Sequence, residues 1–234
     1  MHKLKAAICD IFSSVQGEGI FLGARQIFVR FNDCNLNCSY CDEPREPKSR
    51  EYTADELFGQ VKFLELSKGP HHSVSLTGGE PLLYADFLKV FLGLLKKEKI
   101  KSYLETNGTL PQELSKVIDL VDIVAMDIKL PSSTGQAEFW KQHLEFARIA
   151  ASKKLFIKAV ITDRTTREDV EMAVDIVKKV KANAPLVLQP ASPAAEGART
   201  IDNEKLMKLM EIGLKKQLEN IRVIPQMHKM LGIK

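Results

Sequence analysis

The feature that most constrains the fold of this 234-residue chain is a regular alternation of strand-like and helix-like segments. Segments rich in β-branched or large apolar residues are the predicted strands, at 26–31, 73–76, 102–105, 123–127, 155–161, 186–189 and 221–224. Amphipathic segments are the predicted helices, at 54–66, 85–99, 112–120, 137–152, 167–181 and 203–219. Such repeated βα units predict an α/β protein in which helices cover a parallel sheet.

Periodicity alone leaves open whether this sheet stays open, as in a doubly wound fold, or curves into a complete or partial barrel. A single α/β domain can reach ~250 residues. The chain shows no linker, internal repeat or shift in composition that would divide it. We therefore predict one domain over residues 1–234.

Charge and hydropathy exclude several functional classes. The net charge of +4 comes from 34 basic and 30 acidic residues without a long basic run, which gives no electrostatic footprint for nucleic acid. No segment approaches the ~20 apolar residues that a membrane span requires. The first residues, MHKLKAAICDIF, lack the features of a secretory signal. We expect a cytoplasmic protein that contacts neither nucleic acid nor membrane.

Polar and glycine-rich groups follow most of the predicted strands. In parallel α/β folds, active sites collect at the carboxyl ends of the strands. We therefore expect one site built from these loops. Its members, in chain order, are a cysteine cluster, Thr77 to Pro81, Glu105 to Gly108, Asp127 with Lys129, Gln189, and Gln226 with His228.

Three cysteines, Cys34, Cys38 and Cys41, form a C-x3-C-x2-C motif after the first predicted strand. Three thiolates on one short loop can hold three irons of a [4Fe–4S] cluster and leave the fourth iron open to a small molecule. Structural zinc is the alternative, but it normally takes four ligands, and no second C-x2-C pair or nearby His completes such a site. The remaining cysteine, Cys9, lies in an apolar segment and is expected to be a buried core residue.

The cysteine motif, followed by Gly78-Gly79-Glu80-Pro81 after the second predicted strand, resembles the radical S-adenosylmethionine (SAM) superfamily. This resemblance implies a partial (β/α) barrel with the helices outside, a [4Fe–4S] cluster, and SAM bound at the open iron. In that superfamily the reduced cluster cleaves SAM, and a 5′-deoxyadenosyl radical abstracts hydrogen from the substrate. Glycines suit the second motif because they allow close backbone approach, and their N–H and C=O groups are expected to pair with the methionyl part of SAM.

Further motifs resemble one family within this superfamily, the 7-carboxy-7-deazaguanine synthases. They are IFSSVQGEG (residues 11–19), FVRF (28–31), ETNG (105–108), QP (189–190) and IPQMHK (224–229), so that the resemblance covers nearly the whole chain. It implies conversion of 6-carboxy-5,6,7,8-tetrahydropterin to 7-carboxy-7-deazaguanine with loss of ammonia, on the route to queuosine and related deazapurines. It also implies Mg²⁺ as a further cofactor, an external electron donor and a homodimer.

The resemblance implies roles for individual residues. Those expected at the pterin substrate are Val15, Gln16, Gly17, Glu18, Arg30, Thr77, His228 and Lys234. Those expected at SAM are Tyr40, Cys41, Asp42, Gly78, Gly79, Glu80, Glu105, Asn107, Asp127, Ile128, Lys129, Gln189, Pro190, Ala191 and Ser192. The planar guanidinium of Arg30 suits the substrate carboxylate because it can bind both oxygens at once.

The metal position departs from the family pattern. The family usually has Thr after Cys-Asp, and that hydroxyl coordinates Mg²⁺, whereas this chain has Glu43. A carboxylate is also a hard oxygen ligand, so we expect Glu43 to keep a metal. The amino-acid sequences at residues 127–129 and 191–193 also differ from those usual in the family. We expect this difference to affect the detailed contacts with SAM.

Other functions fit the same cysteine motif. One is a radical SAM activase that makes a glycyl radical on a partner protein, or another radical SAM enzyme with a different substrate. A third is a non-catalytic iron–sulfur module, in which all cluster irons would have protein ligands and SAM would not perturb the cluster.

Overall fold

A computed structural model describes residues 4–42, 48–180, 183–192 and 201–233, so Glu43 and Lys234 lie outside the described residues. Its strands are β1 (Lys5–Val15), β2 (Arg25–Phe31), β3 (Arg50–Thr53), β4 (Ser73–Gly78), β5 (Ser102–Thr106), β6 (Ile123–Asp127), β7 (Lys154–Ile161), β8 (Leu186–Pro190) and β9 (Ile221–Val223). Its helices are α1 (Ala54–Lys68), α2 (Ala85–Lys97), α3 (Pro111–Val117), α4 (Pro131–Thr134), α5 (Trp140–Ala150), α6 (Arg167–Val180), α7 (Asn203–Lys215) and α8 (Met227–Met230). In these ranges, no helix combines the length and apolar character needed to cross a membrane.

The strands form one sheet in the order β3-β1-β2-β4-β5-β6-β7-β8-β9. From β2 onward every neighbouring pair is parallel. Strand β1 runs antiparallel to both β2 and β3 at one end of the sheet. Because the parallel strands follow chain order, right-handed crossovers place the helices on one face, where α1, α2, α3, α5, α6 and α7 contact their neighbours in turn.

The predicted fold class is confirmed, and the question of closure is answered. Within the described residues, β3 and β9 each pair on one side only, so the sheet is a partial barrel rather than a closed one. Each predicted strand overlaps an observed one and differs from it by no more than two residues at either end. Strands β1 and β3 were not predicted, because β1 mixes polar with apolar residues and β3 is short.

The two faces of the sheet differ in chemistry because side chains alternate along each strand. The outer face carries residues such as Val74, Leu76 and Leu104, which pack with the helices into the main core. A smaller cluster lies on the inner face, formed by Tyr103, Ile123, Ala125, Phe156 and Val187 with Ile20, Phe21 and Ile224. This cluster is an apolar floor, and the polar inner residues lie above it towards the carboxyl ends of the strands.

Helix α1 begins with a capping box that fixes its start. The hydroxyl of Thr53 accepts from the Glu56 N–H at 3.3 Å, and the Glu56 carboxylate accepts from the Thr53 N–H at 2.8 Å. Two orphan N–H groups of the first turn are satisfied in this way. The predicted helix over 112–120 is shorter than expected, since α3 ends at Val117 and a 3-10 turn continues to Leu120.

Candidate active site

A cavity of about 750 Å³ lies above the apolar floor, at the carboxyl ends of the parallel strands. Loops from widely separated parts of the chain meet there, as expected from the strand pattern. The site residues named from the sequence that line it are Glu18, Arg30, Cys34, Cys38, Tyr40, Cys41, Asp42, Thr77, Gly78, Gly79, Glu105, Asn107, Asp127, Lys129, Gln189, Ala191 and Ser192.

Other named residues do not line the cavity; they are Val15, Gln16, Gly17, Glu80, Ile128, Pro190 and His228. The expectation for Ile128 needs correction, because its side chain is fully buried in the outer core, on the opposite face of the sheet. The backbone N–H of Ile128 donates to the Lys158 carbonyl at 2.8 Å, so it is not available to a ligand. The side chain of Ile128 therefore packs helices against the sheet and does not reach a ligand.

The cysteine loop is held in place by two neighbouring loops. The Ser39 N–H donates to the carbonyl of Thr134, the last residue of α4, at 2.9 Å. Asn35 Nδ2 donates to Thr109 Oγ1 at 2.9 Å, and Asn107 Nδ2 donates to Asn35 Oδ1 at 2.8 Å. These contacts tie the loop to the ends of β5 and β6, so the thiols face the cavity from a fixed direction.

The described residues do not form a ready-made site for a single metal ion around the three thiols. Burial raises the pKa of Cys38 to about 11 and also raises the pKa of Cys34, so cluster binding would displace protons from these groups. Among the described residues, no three His, Cys, Asp or Glu side chains converge as ligands of a single ion. Since a structural zinc site normally takes four converging ligands, the geometry gives that alternative no support.

The expectation that Cys9 is a buried core residue is wrong. The side chain of Cys9 is only half-buried, and it lines the cavity. Its thiol donates to Asn32 Oδ1 at 3.3 Å. The reason is the alternation of side chains along β1: Ala6 and Ile8 face the main core, whereas Cys9 lies on the cavity side.

The glycine motif brings β4 close to the cysteine loop. Gly78 has φ of +111°, a conformation that glycine adopts without strain. A Cβ at Gly79 would lie 2.0 Å from the Asp33 carbonyl oxygen. The Gly79 N–H donates to Phe31 at 2.9 Å, and the Glu80 N–H donates to Asp33 at 2.7 Å. The Glu80 N–H therefore holds the start of the cysteine loop, and the Gly79 N–H, which was expected to pair with SAM, is bonded to the end of β2.

Glu80 is a buried connector rather than a lining residue. Its carboxylate accepts from the N–H groups of Leu82 at 3.0 Å and Asn107 at 2.8 Å, and from Thr106 Oγ1 at 2.9 Å. Burial raises its pKa to about 7, although these hydrogen bonds favour the ionised form. Glu80 therefore joins the glycine motif to the end of β5.

Asp127 and Lys129 form an ion pair at the end of β6. Lys129 Nζ lies 2.8 Å from Asp127 Oδ2 and 3.3 Å from the Tyr40 hydroxyl, with its ammonium over the Tyr40 ring. Two buried acceptors nearby, Asp127 Oδ1 and Gln189 Oε1, have no hydrogen-bond partner within the described part of the chain. Unsatisfied buried acceptors facing a cavity favour a ligand with hydroxyl or amino donors, and SAM has both.

A second series of polar side chains, linked by ion pairs and hydrogen bonds, crosses the cavity. Lys158 and Lys229 in this series were not identified from the sequence. Lys158, on the inner face of β7, pairs with Glu18, whose other carboxylate oxygen accepts from Gln226 Nε2 at 2.7 Å. Gln226 also lies 3.4 Å from Asp42 Oδ2, and Asp42 pairs with Lys229. Burial opposes ionisation of Glu18, but the ammonium of Lys158 together with the hydrogen bond from Gln226 outweighs burial and lowers the pKa of Glu18 to about 2.

The missed lining residues include Lys158, Lys229, Asn32, Asp33 and Val160. One sequence signal could have found the first of them. In the strand LFIKAVI (residues 155–161), a single lysine interrupts an apolar segment at an inner-facing position. A lysine in a buried strand is rarely left without a partner, so it indicates a site.

Polar side chains from three strands and the loop after β1 meet around Glu105. Its carboxylate accepts from Gln16 Nε2 at 2.9 Å, from Ser75 Oγ at 3.0 Å and from Thr77 Oγ1 at 3.2 Å. Gln16 also donates to Gln26 at 3.0 Å. Glu105, expected at SAM, thus lies among the residues expected at the pterin.

Arg30 faces the cavity from β2, where its guanidinium carbon lies 5.8 Å from the centre of the Phe12 ring. The Phe12 ring is itself stacked on Phe28, with centroids 5.1 Å apart. This aromatic support restricts the guanidinium, which is the geometry needed to bind an anion from a defined direction.

The C-terminal segment packs on the loop of residues 16–19. The Met227 N–H donates to the Gly17 carbonyl at 2.9 Å. A Cβ at Gly17 would lie 2.1 Å from His228 Nδ1, so only glycine allows this contact. The structure therefore places His228 beside the residues expected at the substrate, behind the cavity wall.

His143 on α5 is a buried residue that sequence reasoning did not single out. Its Nε2 accepts from the Lys129 N–H at 3.1 Å, and its Nδ1 lies 3.1 Å from the Gly108 carbonyl. Both bonds form only when the ring is neutral with the proton on Nδ1. Burial lowers the pKa of His143 to about 4, so it links the ends of β5 and β6 as a neutral group.

Comparisons with known proteins agree with this site. The profile of the radical SAM superfamily matches residues 28–188. Curated proteins named 7-carboxy-7-deazaguanine synthase are similar over both whole chains: that of Geobacter sulfurreducens is 37% identical, covering 99% of each chain, and that of Methanothermobacter thermautotrophicus is 35% identical, covering 100% of each.

Solved structures show the same fold. That of QueE from Escherichia coli superposes with a TM-score of 0.63 at 18% identity, covering 96% of this chain and 95% of that one. Streptococcus suis SuiB bound to S-adenosylmethionine gives 0.60 at 21% identity, covering 83% of this chain and 48% of that one. With its thiol loop, its barrel and these full-length relatives, the chain belongs to the radical SAM superfamily and, within it, to the 7-carboxy-7-deazaguanine synthases.

Proposed function

We propose that this protein converts 6-carboxy-5,6,7,8-tetrahydropterin to 7-carboxy-7-deazaguanine with loss of ammonia. The observation that carries the proposal is that one cavity is lined both by the three cysteines and by Arg30. Relatives with that activity in their names match along the whole chain, which favours this reaction over a glycyl-radical activase.

The cysteine side of the cavity serves the cofactors. Cys34, Cys38 and Cys41 would hold the [4Fe–4S] cluster, which when bound supplies the electron that cleaves SAM. Asp127 Oδ1 and Gln189 Oε1 are the acceptors for hydroxyl or amino groups of SAM. The N–H groups of Gly79 and Glu80 hold the end of β2 and the start of the cysteine loop close to β4, and so help to fix the position of the cluster.

A second group of residues in the same cavity binds the pterin. Arg30 takes the substrate carboxylate, since a guanidinium binds both carboxylate oxygens. The amino-pyrimidinone edge of a pterin carries N–H donors, and the carboxylates of Glu18 and Glu105 are acceptors that line the same cavity. Gln16 and Thr77 orient Glu105 through hydrogen bonds at 2.9 and 3.2 Å.

The proposal includes four features beyond the cavity. Mg²⁺ is a further cofactor, with Glu43 as the expected ligand, although that residue lies outside the described residues. The enzyme is a cytoplasmic homodimer. An external protein or chemical reductant supplies the electron, and residues 1–234 work as one domain.

The reaction is tested with anaerobically reconstituted, reduced enzyme, SAM, Mg²⁺ and 6-carboxytetrahydropterin. We expect deazapurine and ammonia in equal amounts without net consumption of SAM, because loss of ammonia alone balances the reaction. The Cys38→Ala variant should give no product because it lacks a cluster ligand. SAM cleavage without deazapurine would contradict the proposed substrate while leaving the superfamily chemistry intact. Omission of Mg²⁺ in a parallel reaction tests the metal, which is expected to raise the rate.

A further inference from the structure

Lys158 is a charged side chain on the inner face of β7 that has no assigned role. In the parallel ladder it lies directly opposite Asp127. Below it, Phe156 belongs to the apolar floor, and above it the cavity opens. Its side chain is 13% exposed, so its charge needs a partner.

That partner is Glu18 rather than Asp127. Lys158 forms a direct hydrogen bond with Glu18 Oε2, whereas its ammonium is 4.0 Å from Asp127 Oδ2. Asp127 has another cation, Lys129, at 2.8 Å. Among ion pairs of the described residues, Glu18 takes part in one, that with Lys158. Loss of Lys158 would therefore leave Glu18, not Asp127, without a cation.

Glu18 is otherwise held by one contact within its own loop and one from the C-terminal segment. Its N–H donates to Gln16 Oε1 at 3.0 Å, and its Oε1 accepts from Gln226 at 2.7 Å. A carboxylate offers about four acceptor positions, so two remain after Lys158 and Gln226 have donated. These can accept from donors in the cavity, provided that the carboxylate stays in place and ionised.

We propose that Lys158 is a positioning residue for the pterin substrate: from the opposite wall of the barrel it holds the Glu18 carboxylate in the orientation that accepts the N–H groups of the pterin. The inference rests on the proposed function. SAM binding is expected to depend on it little, because Asp127 keeps its closer partner Lys129.

The test compares Lys158→Met, which removes the charge at similar size, with Lys158→Arg, which keeps it. For Lys158→Met we expect the pterin KM to rise at least roughly tenfold, the change that loss of one charged hydrogen bond produces. The KM for SAM should stay within about twofold, and more 5′-deoxyadenosine should form per deazapurine because the substrate is misplaced. Lys158→Arg should recover most of the pterin KM.

Binding without turnover gives an independent measurement. Anaerobic calorimetry of the reconstituted protein without SAM, with 7-carboxy-7-deazaguanine as the ligand, should show at least roughly tenfold weaker binding by Lys158→Met than by wild type. Lys62→Met is the matched control, because Lys62 pairs with Glu98 at 3.2 Å on the outer helices, far from the cavity. It should bind as wild type does.

The double variant Lys158→Met with Glu18→Gln separates positioning from folding. Neutralising Glu18 removes the unpaired charge, so the Tm that Lys158→Met lowers should return towards the wild-type value. The pterin KM should stay raised, to the same extent as in Glu18→Gln alone, since both residues act through one contact. Recovery of the KM along with the Tm would overturn the inference and leave Lys158 a purely structural role.

Different results would overturn the proposed function and the inference about Lys158. Wild-type protein that neither binds nor converts the pterin would overturn the proposed function and this inference with it. Wild-type protein that does both, alongside Lys158→Met with an unchanged pterin KM, would overturn the inference alone.

Discussion

Single side chains at the carboxyl end of the barrel have properties that only their three-dimensional neighbours explain. Glu80 is fully buried and Glu18 partly buried, yet burial raises the pKa of Glu80 to about 7, whereas contacts with Lys158 and Gln226 lower that of Glu18 to about 2. The difference is a cation: Glu80 accepts from N–H and O–H groups, while Glu18 contacts an ammonium. The two residues therefore serve different purposes, one joining loops and one placing a negative charge in the cavity.

His143 makes the stability of the protein depend on pH. Its pKa falls from 6.5 in the unfolded chain to about 4, so its contribution is fully present above pH 6.5 and is lost as the pH falls through 4. The loss amounts to up to ~3 kcal/mol, since one pKa unit corresponds to ~1.4 kcal/mol. Urea unfolding of wild type and His143→Gln at pH 7.5 and pH 4.5 measures it.

The variant serves as the non-titrating reference for this measurement. His143→Gln should be less stable at pH 7.5, because one side-chain amide does not reproduce both ring hydrogen bonds, but its stability should fall less between the two pH values. A parallel decline in both proteins would show that other groups cause the pH dependence.

At the scale of elements, the close approach of β4 to the cysteine loop decides whether a cluster can be held. The loop has no regular structure of its own, and it depends on backbone hydrogen bonds from Gly79 and Glu80 to Phe31 and Asp33. From the sequence, Gly78 and Gly79 were assigned to SAM binding. The structure adds a second reason for glycine at position 79, because a Cβ there would have no space.

Gly79→Ala should therefore abolish or strongly reduce cluster incorporation, measured as iron and sulfide per chain after anaerobic reconstitution. The new Cβ would lie 2.0 Å from the Asp33 carbonyl oxygen, so the backbone of the cysteine loop must move away. Gly93→Ala is the control: its Cβ would meet no atom within 4 Å, and alanine should stabilise α2 by up to ~1 kcal/mol. Normal iron content in Gly79→Ala would contradict this explanation.

For the whole molecule, function depends on joining the two ends of the chain. The loop of residues 16–19 near the N-terminus contacts the C-terminal segment through Gly17 with Met227 and Glu18 with Gln226. Pairing along the sheet brings these segments to the same end of the barrel, although β2 and β9 lie six positions apart in its order. The substrate side of the cavity is therefore complete only when the whole barrel has formed.

Gly17→Ala should weaken pterin binding without affecting SAM. A Cβ there would lie 2.1 Å from His228 Nδ1, which forces the C-terminal segment outward. We expect the pterin KM to rise by roughly tenfold or more, the effect of losing about 1.4 kcal/mol of binding. The KM for SAM and the iron content should be unchanged. The control Gly59→Ala places its Cβ in open space on α1, so its kinetics should match the wild type.

The sequence by itself determined the alternation of strands and helices, the thiol motif and the family. These are local or periodic signals. The spacing of hydrophobic residues predicts the parallel strands, and three cysteines within eight residues lie on one loop. Only the tertiary structure decided that the barrel is partial, that Ile128 faces the outer core and that Cys9 faces the cavity. It alone paired Lys158 with Glu18, 140 positions apart in the chain. Such contacts depend on which strands become neighbours and which way each side chain points, and pairing over that distance leaves no local pattern in the sequence.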